Sequence, residues 1–342
     1  MSQATLSVVV PVYQNAENIP ALLEALQGLE KQLASPLEVV FVVDGSPDDS
    51  YLKLATGLPK TGLRAQLLLL SRNFGSFAAI RAGLAAATGE RFAVLAADLQ
   101  EPVELIVEFD RKLASGGCDV VVGRREGRGD PLPGRLMAGL FWSLYRRFVI
   151  AEIPPGGVDI FGCTSAVREQ LLALSEQNSS LLGLLFWIGF RREAVGYLRR
   201  ERTAGVSAWT FAKKVAYLMD SVFSFTDLPI KVLLRIGALG LVGSVALAAV
   251  VLTARLSGAI AVPGYAATVL TVTFFGALNC FGLGVLGGYV WRTFENTKQR
   301  PGFIVASARS FGAGGAAGRD TKSDTKSDTK REPGSETKAG AT

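Results

Sequence analysis

The sequence predicts an α/β domain built on a parallel sheet, followed by amphipathic interface helices and two transmembrane helices. Three observations carry this. Short, continuously apolar runs alternate with helical patterns through the first part of the chain, as expected of parallel strands covered on both faces. Three polar residues, Tyr13, Asp44 and Asp98, each fall just past the carboxyl end of such a run, the edge where open α/β sheets hold their ligands. Two uncharged stretches then fill 236–254 and 256–291, with only Arg255 between them.

Taken in order, residues 6–11 (Leu-Ser-Val-Val-Val-Pro) form a first strand stopped by proline, and a helical pattern follows over about 18–34. Residues 38–43 form a second strand ending at Asp44-Gly45-Ser46. Residues 66–71 form a third, residues 76–88 a helix, and residues 92–97 a fourth strand ending at Asp98. Residues 119–122 make a short fifth. No G-x-G-x-x-G follows the first strand and no G-x-x-x-x-G-K-[ST] occurs, which disfavours dinucleotide and P-loop folds.

A 19-residue helix spans roughly 29 Å, close to the hydrocarbon thickness of a bilayer. Pro263-Gly264 punctuates the second apolar stretch and leaves about 28 residues for a tilted helix. The expected organisation is a domain over 1–200, amphipathic juxtamembrane helices over 201–232 and transmembrane helices at 233–254 and 265–290. A membrane-proximal segment over 291–310 and a disordered tail over 311–342, with its Asp-Thr-Lys repeats, complete it. Residues 135–150 and 207–225 have apolar and basic faces at helical spacing, suited to a headgroup plane or to packing on the sheet.

The net charge of +6 is uneven: residues 1–190 carry −4, residues 191–235 carry +5 and residues 292–310 carry +3. The loop between the apolar stretches has Arg255 alone, whereas Lys231, Arg235, Arg292, Lys298 and Arg300 lie on the other side. The positive-inside rule then puts both termini and the N-terminal domain in the cytoplasm. Residues 1–4 have no charged region leading into an apolar one, so no cleaved signal peptide is expected. The basic band beside the bilayer suits anionic headgroups or an anionic lipid substrate, not nucleic acid. The chain has no histidine, which excludes Ser-His-Asp triads and H-E-x-x-H zinc sites. Its three cysteines form no C-x-x-C, so neither a disulfide framework nor a zinc site is indicated.

An ordered set of motifs narrows the reading. Pro11-Val12-Tyr13, Val43-Asp44-Gly45-Ser46-Pro47-Asp48, Ser71-Arg72-Asn73-Phe74-Gly75 and Ala97-Asp98-Leu99-Gln100-Glu101-Pro102 come in sequence. Gly156-Gly157-Val158-Asp159-Ile160-Phe161 and Arg202-Thr203-Ala204-Gly205-Val206-Ser207-Ala208-Trp209-Thr210 follow. The set resembles glycosyltransferase family 2, in particular the polyprenyl-phosphate glycosyltransferases, over about residues 5–301. The resemblance implies a GT-A-like (Rossmann-like) domain and inverting transfer of one sugar from a nucleotide diphosphate to polyprenyl phosphate. It also implies a bacterial inner-membrane location and a homo-oligomer, often a tetramer. Gly276, Gly282, Gly284, Gly287 and Gly288 would permit close helix packing in such an assembly.

The leaving nucleoside diphosphate gains negative charge, which Mg2+ or Mn2+ can stabilise through carboxylate and phosphate oxygens. Asp98 is the natural ligand, and the resemblance adds the side-chain oxygen of Gln100. The family often has Asp-x-Asp, but this chain has Ala96-Ala97-Asp98. Asp98 and Glu101 also have the spacing of a helix capping box. By resemblance, Asp44 reads the base or ribose, with Pro11, Tyr13 and Asn15 lining the same pocket. Asp159 is implied at the reaction centre, as a base or as the group that orients the acceptor; locally it also suits a turn after Gly156-Gly157. Arg202 is implied to hold the acceptor phosphate together with Ser207 and Trp209, and Ala208 stands where a basic residue is common. Arg124 and Arg128 are implied to close over the phosphates.

A phosphate monoester acceptor has a second pKa near ~6 and is already a nucleophile at neutral pH, which fits a chain without histidine. Two other functions compete. A processive polysaccharide synthase calls for a Gln-x-x-Arg-Trp motif and more membrane helices, and neither is found. An inactive nucleotide-sugar-binding membrane scaffold draws support from Ala96.

Overall fold

A computed structural model describes residues 6–126, 139, 143, 145–147, 149–150, 152–154, 158–174, 180–199, 219–226, 228–257 and 264–312. Eight strands form one sheet: β1 (Leu6–Val12), β2 (Leu37–Val43), β3 (Ala65–Leu70), β4 (Arg91–Val94), β5 (Val120–Arg125), β6 (Val158–Thr164), β7 (Arg192–Tyr197) and β8 (Val305–Phe311). Their order is β7-β5-β6-β4-β1-β2-β3-β8. The block β4-β1-β2-β3 is parallel, as the apolar runs predict. Strand β6 runs antiparallel to both β4 and β5, β7 pairs parallel with β5, and β8 pairs antiparallel with β3. The sheet is therefore mixed. Its last three strands are short or partly polar and give no continuous apolar run.

Helices cover both faces. On one face α1 (Ile19–Gln32) and α4 (Glu104–Ala114) bring Leu22, Leu26, Leu29, Ile106 and Phe109 onto Val8, Val10, Phe41 and Val43. On the other, α3 (Ser76–Ala86) packs on Val9 and Val42, and α5 (Ser165–Ala173) and α6 (Leu181–Trp187) extend the same apolar cluster. Each such fully buried aliphatic side chain contributes roughly 1.5–3 kcal/mol. Between β2 and β3 lies α2 (Ser50–Gly57).

The amino-terminal edge of the sheet carries a buried acid. Glu38, 1% exposed, accepts hydrogen bonds from Ser7 Oγ at 2.6 Å, Thr88 N at 2.8 Å, Thr88 Oγ1 at 2.9 Å and Gln66 Nε2 at 3.0 Å. Burial pushes its carboxyl up, but these donors outweigh burial and hold it below its ordinary value of 4.5. A lowered folded pKa gives stability that is present above the unfolded value and lost as pH falls through the folded one. Glu38→Gln is expected to cost about 2–4 kcal/mol at neutral pH. Thermal melts of the two proteins should converge as pH drops below the ordinary carboxylate range. Glu38 lies at the sheet edge opposite the strand ends that carry Tyr13, Asp44 and Asp98, so the substitution should act on stability alone.

Two long helices, α7 (Leu228–Leu256) and α8 (Tyr265–Thr297), enclose the expected spans 233–254 and 265–290. They run as an antiparallel hairpin: Gly240 faces Phe275 and Gly282 faces Leu233. Among the described residues one segment, Phe274–Thr297, is long and apolar enough to cross a membrane, and none of it is buried. Side chains such as Leu239, Val242, Leu283 and Val290 are more than 60% exposed. The end of α8 is tied to residues 219–226. Arg292 Nη2 meets Asp220 Oδ1 at 2.6 Å and lies over the Phe223 ring at 5.1 Å, and the Tyr289 hydroxyl reaches Thr226 O at 3.5 Å.

After α8 the chain returns to the sheet as β8, inside the stretch expected only as a membrane-proximal segment. Gly282 and Gly288 pack within the chain, on Leu233 and Phe223, while Gly276, Gly284 and Gly287 face open space. The tail beyond 312 and most of the amphipathic stretches lie outside the described residues.

Candidate active site

The site lies at the carboxyl ends of β4, β1 and β2, which are adjacent in the sheet. Strand β1 delivers Pro11 and Tyr13, β2 delivers Asp44, and the loop after β4 delivers Asp98, Gln100 and Glu101. The three expected strand ends therefore converge.

Asp44 is 2% exposed. Its two carboxylate oxygens accept the backbone N–H groups of Phe74 at 2.7 Å and Gly75 at 2.8 Å. Burial pushes its carboxyl up, and those two donors with Arg72 offset the shift only in part. Asp44 thus shapes the Ser71–Gly75 loop, where Arg72 stacks on the Phe74 ring at 4.0 Å. Gly45 follows at φ +56°, with the backbone of Arg72 and Asn73 against it. Ser71 N donates to Ile304 O at 3.0 Å, so the segment entering β8 braces the same loop.

The loops after β1 and β2 are joined through Asp48, which sequence reasoning gave no role. It accepts from Ser46 Oγ at 2.6 Å and from Ala16 N at 3.0 Å, and Ser46 Oγ in turn accepts from Gln14 N at 2.7 Å. Burial would raise its carboxyl, but the hydrogen bonds led by Ser46 outweigh burial and hold it below the usual range. Asn15 donates its side chain to Tyr13 O at 2.8 Å and accepts from Asn18 at 3.1 Å, which fixes the turn that presents Tyr13.

The Asp98-Leu99-Gln100-Glu101 loop does not cap a helix. Helix α4 begins at Glu104 with Val103 before it, so the capping-box spacing of Asp98 and Glu101 is coincidental. Leu99 sits at φ +53°, a costly conformation for a branched side chain, and it turns the chain sharply between Asp98 and Gln100. Asp98 Oδ1 lies 3.4 Å from Gln100 N.

Glu101 is 1% exposed, and among the described residues its Oε2 is buried without a hydrogen-bond partner. Burial, then the charge of Asp159, push its carboxyl up to about 7, against the pull of Arg199. Arg199 reaches in from just past β7, with Nη2 at 2.6 Å from Gln100 Oε1 and Nε at 3.5 Å from Glu101 Oε1.

Asp159 stands on β6. Its Oδ2 accepts from Arg125 Nη2 at 2.6 Å and from the Tyr197 hydroxyl at 2.7 Å. Arg125 and Tyr197 are register partners on β5 and β7, so three neighbouring strands build this group. Burial and then the Asp159 charge push the Tyr197 phenol up, so it stays a donor. Arg124, implied by the resemblance to close over the phosphates, pairs with Glu126 at 2.9 Å with both side chains about half exposed. One step along a strand reverses the side chain, which is why Arg125 and not Arg124 meets Asp159. Sequence gave no signal for Arg125, Tyr197 or Arg199, because their roles depend on pairing between distant strands. Arg128, Arg202, Ser207 and Trp209 lie outside the described residues. On the reaction-centre role that the resemblance implies for Asp159, Arg125→Ala is expected to lower turnover about 10–100-fold, while equilibrium nucleotide binding stays within twofold of wild type.

The model of the family described as "Glycosyl transferase family 2" matches residues 7–173. A prophage bactoprenol glucosyl transferase homolog of Escherichia coli (strain K12) is 31% identical, over 88% of this chain and 98% of its own length. The chain belongs to glycosyltransferase family 2. The bactoprenol glucosyl transferase of Shigella phage SfX is 30% identical, over 89% of this chain and 99% of its own length. Among solved structures, a mannosyltransferase from Pyrobaculum calidifontis in complex with GDP-Man and Mn2+ aligns with a TM-score of 0.45 at 17% identity, covering 87% of this chain and 88% of that one. As a family 2 glycosyltransferase the protein is an enzyme.

Proposed function

We propose that this glycosyltransferase moves one sugar from a nucleotide-diphosphate sugar, UDP in preference to GDP, to polyprenyl phosphate, with inversion. The observation that carries the reading is the convergence of Asp98, Gln100 and the Arg125–Asp159–Tyr197 group at one sheet edge in a chain with an exposed apolar helical hairpin. Relatives named for bactoprenol support a polyprenyl acceptor.

In this reading the acceptor phosphate oxygen attacks the anomeric carbon. The bond from that carbon to the diphosphate breaks, and its electron pair leaves with the nucleoside diphosphate. Asp159, fixed by Arg125 and Tyr197, orients the acceptor or takes its residual proton. Pro11, Tyr13, Asn15 and Asp44 form the nucleotide pocket. Arg124 and Arg128 serve the phosphates, and Arg202, Ser207 and Trp209 serve the acceptor.

The residues present fit a divalent cation. Asp98 supplies a carboxylate and Gln100 an amide oxygen, both hard donors, and the next residue, Glu101, has an Oε2 buried without a hydrogen-bond partner among the described residues. Among the described residues no group of three or more acidic or thiol side chains could hold a metal by itself. Phosphate and water would complete the shell, as suits Mg2+ or Mn2+. Such a cation neutralises charge developing on the leaving diphosphate.

The domain, the start of α7 and the end of α8 lie at one end of the hairpin, which supports two crossings with both termini on the cytoplasmic side of a bacterial inner membrane. The open faces of Gly276, Gly284 and Gly287 support a homo-oligomer. The test is purified protein in nanodiscs with undecaprenyl phosphate, Mg2+ or Mn2+, and a panel of UDP- and GDP-sugars. A lipid gaining the mass of one sugar, with equimolar nucleoside diphosphate, is expected. Nucleotide binding without transfer across the panel would favour the inactive scaffold.

A further inference from the structure

We propose that Arg199 is a substrate-phosphate-binding residue held in waiting, its guanidinium seated on Gln100 and Glu101 until a divalent cation takes Gln100, and then moving to a phosphate oxygen. This rests on the reading of Asp98 and Gln100 as the cation's protein ligands. Three observations carry it.

Arg199 Nη2 already holds Gln100 Oε1 at 2.6 Å, the oxygen a hard cation would need. Two cationic centres cannot share that oxygen at bonding distance without strong repulsion. Arg199 therefore leaves when a divalent ion arrives.

The seat is also incomplete. The ion pair of Arg199 with Glu101 is long, with Nε at 3.5 Å from Oε1, and among the described residues the second Glu101 oxygen is buried without a hydrogen-bond partner. A guanidinium makes its strongest bonds as a two-pronged fork on carboxylate or phosphate, and Glu101 does not supply that geometry. A phosphate oxygen pair would.

Finally, Arg199 lies two residues beyond Tyr197, the last residue of β7, and its side chain is 30% exposed. It can swing without breaking a strand pairing. Arg125, by contrast, is 12% exposed and committed to Asp159 on the neighbouring strand.

The phosphate could belong to the donor diphosphate or to the acceptor monophosphate, and the test separates them. Full-length protein in nanodiscs is titrated with Mn2+ alone, followed by the free-ion EPR signal. UDP, GDP and farnesyl phosphate are then titrated at saturating Mn2+. Wild type, Arg199→Gln, Arg199→Lys and Asp98→Ala are compared after thermal melts establish that each is folded.

Arg199→Gln is expected to bind Mn2+ alone about 5–10-fold more tightly, because its competitor is gone, and to lose about tenfold in affinity for one phosphate probe. Loss for a nucleoside diphosphate identifies the donor, and loss for farnesyl phosphate identifies the acceptor. Arg199→Lys keeps the charge without the fork, so it should keep the weaker Mn2+ affinity and lose phosphate affinity. Unchanged Mn2+ affinity in Arg199→Gln, or unchanged affinity for every phosphate probe, overturns the proposal. Equal Mn2+ binding by wild type and Asp98→Ala overturns instead the cation assignment beneath it.

Discussion

Asp98→Ala should lower sugar transfer by about 10²–10³-fold, the scale on which loss of a preorganised transition-state charge contact acts. The chain has alanine at position 96, so no second carboxylate stands two residues before Asp98 to compensate. Gln100 alone offers an uncharged oxygen. The variant should fold normally, because Asp98 is only half-buried and lies in the loop after β4, outside the sheet. Nucleoside diphosphate release and lipid mass, measured beside the melting temperature, check this. Turnover within tenfold of wild type in a folded Asp98→Ala protein would mean that the cation is held elsewhere or not needed. Loss of turnover together with loss of Mn2+-dependent nucleotide affinity is the expected pair.

Gly45→Ala should be the most damaging small substitution in the domain, at about 3–5 kcal/mol. The cause is twofold. Gly45 adopts φ +56°, and a Cβ there would lie 2.5 Å from Asn73 N and 2.7 Å from Arg72 Cα. Those atoms are backbone, and they cannot rotate away. The loop they belong to is pinned on its other side by Asp44, through Phe74 and Gly75, and by Ile304. Gly62→Ala is the control. It has φ +73° with nothing within 4 Å of the added carbon, so it should cost only the strain of the left-handed conformation, about 1 kcal/mol. Melting temperatures of the two variants separate steric clash from strain. With the nucleotide pocket as proposed, affinity should fall only in Gly45→Ala, because Gly45 adjoins Asp44 while Gly62 lies on the other side of α2.

Much of the domain is legible in the sequence because its central strands are buried on both faces. Residues 6–12 and 37–43 must then be apolar throughout, and such runs announce themselves. The placing of Tyr13, Asp44 and Asp98 at one edge follows, since parallel strands all end on the same side. The long hairpin is legible for a similar reason: an uncharged run of its length suits few environments other than lipid.

Other parts of the site were decided by tertiary structure. Strands β6, β7 and β8 come from distant parts of the chain and pair where no local pattern requires it. Their pairing brings Arg125 and Tyr197 to Asp159, and carries Arg199 to Gln100 and Glu101. The spacing of Asp98 and Glu101 leaves a helix cap open as an alternative, but the helix begins only at Glu104 and Glu101 is buried in the site. Local sequence determined which segments are strands, helices and membrane-length runs, because burial imposes composition residue by residue. Only the folded sheet decided which charges face one another, because that depends on strand order and side-chain parity, and neither is written in any single segment.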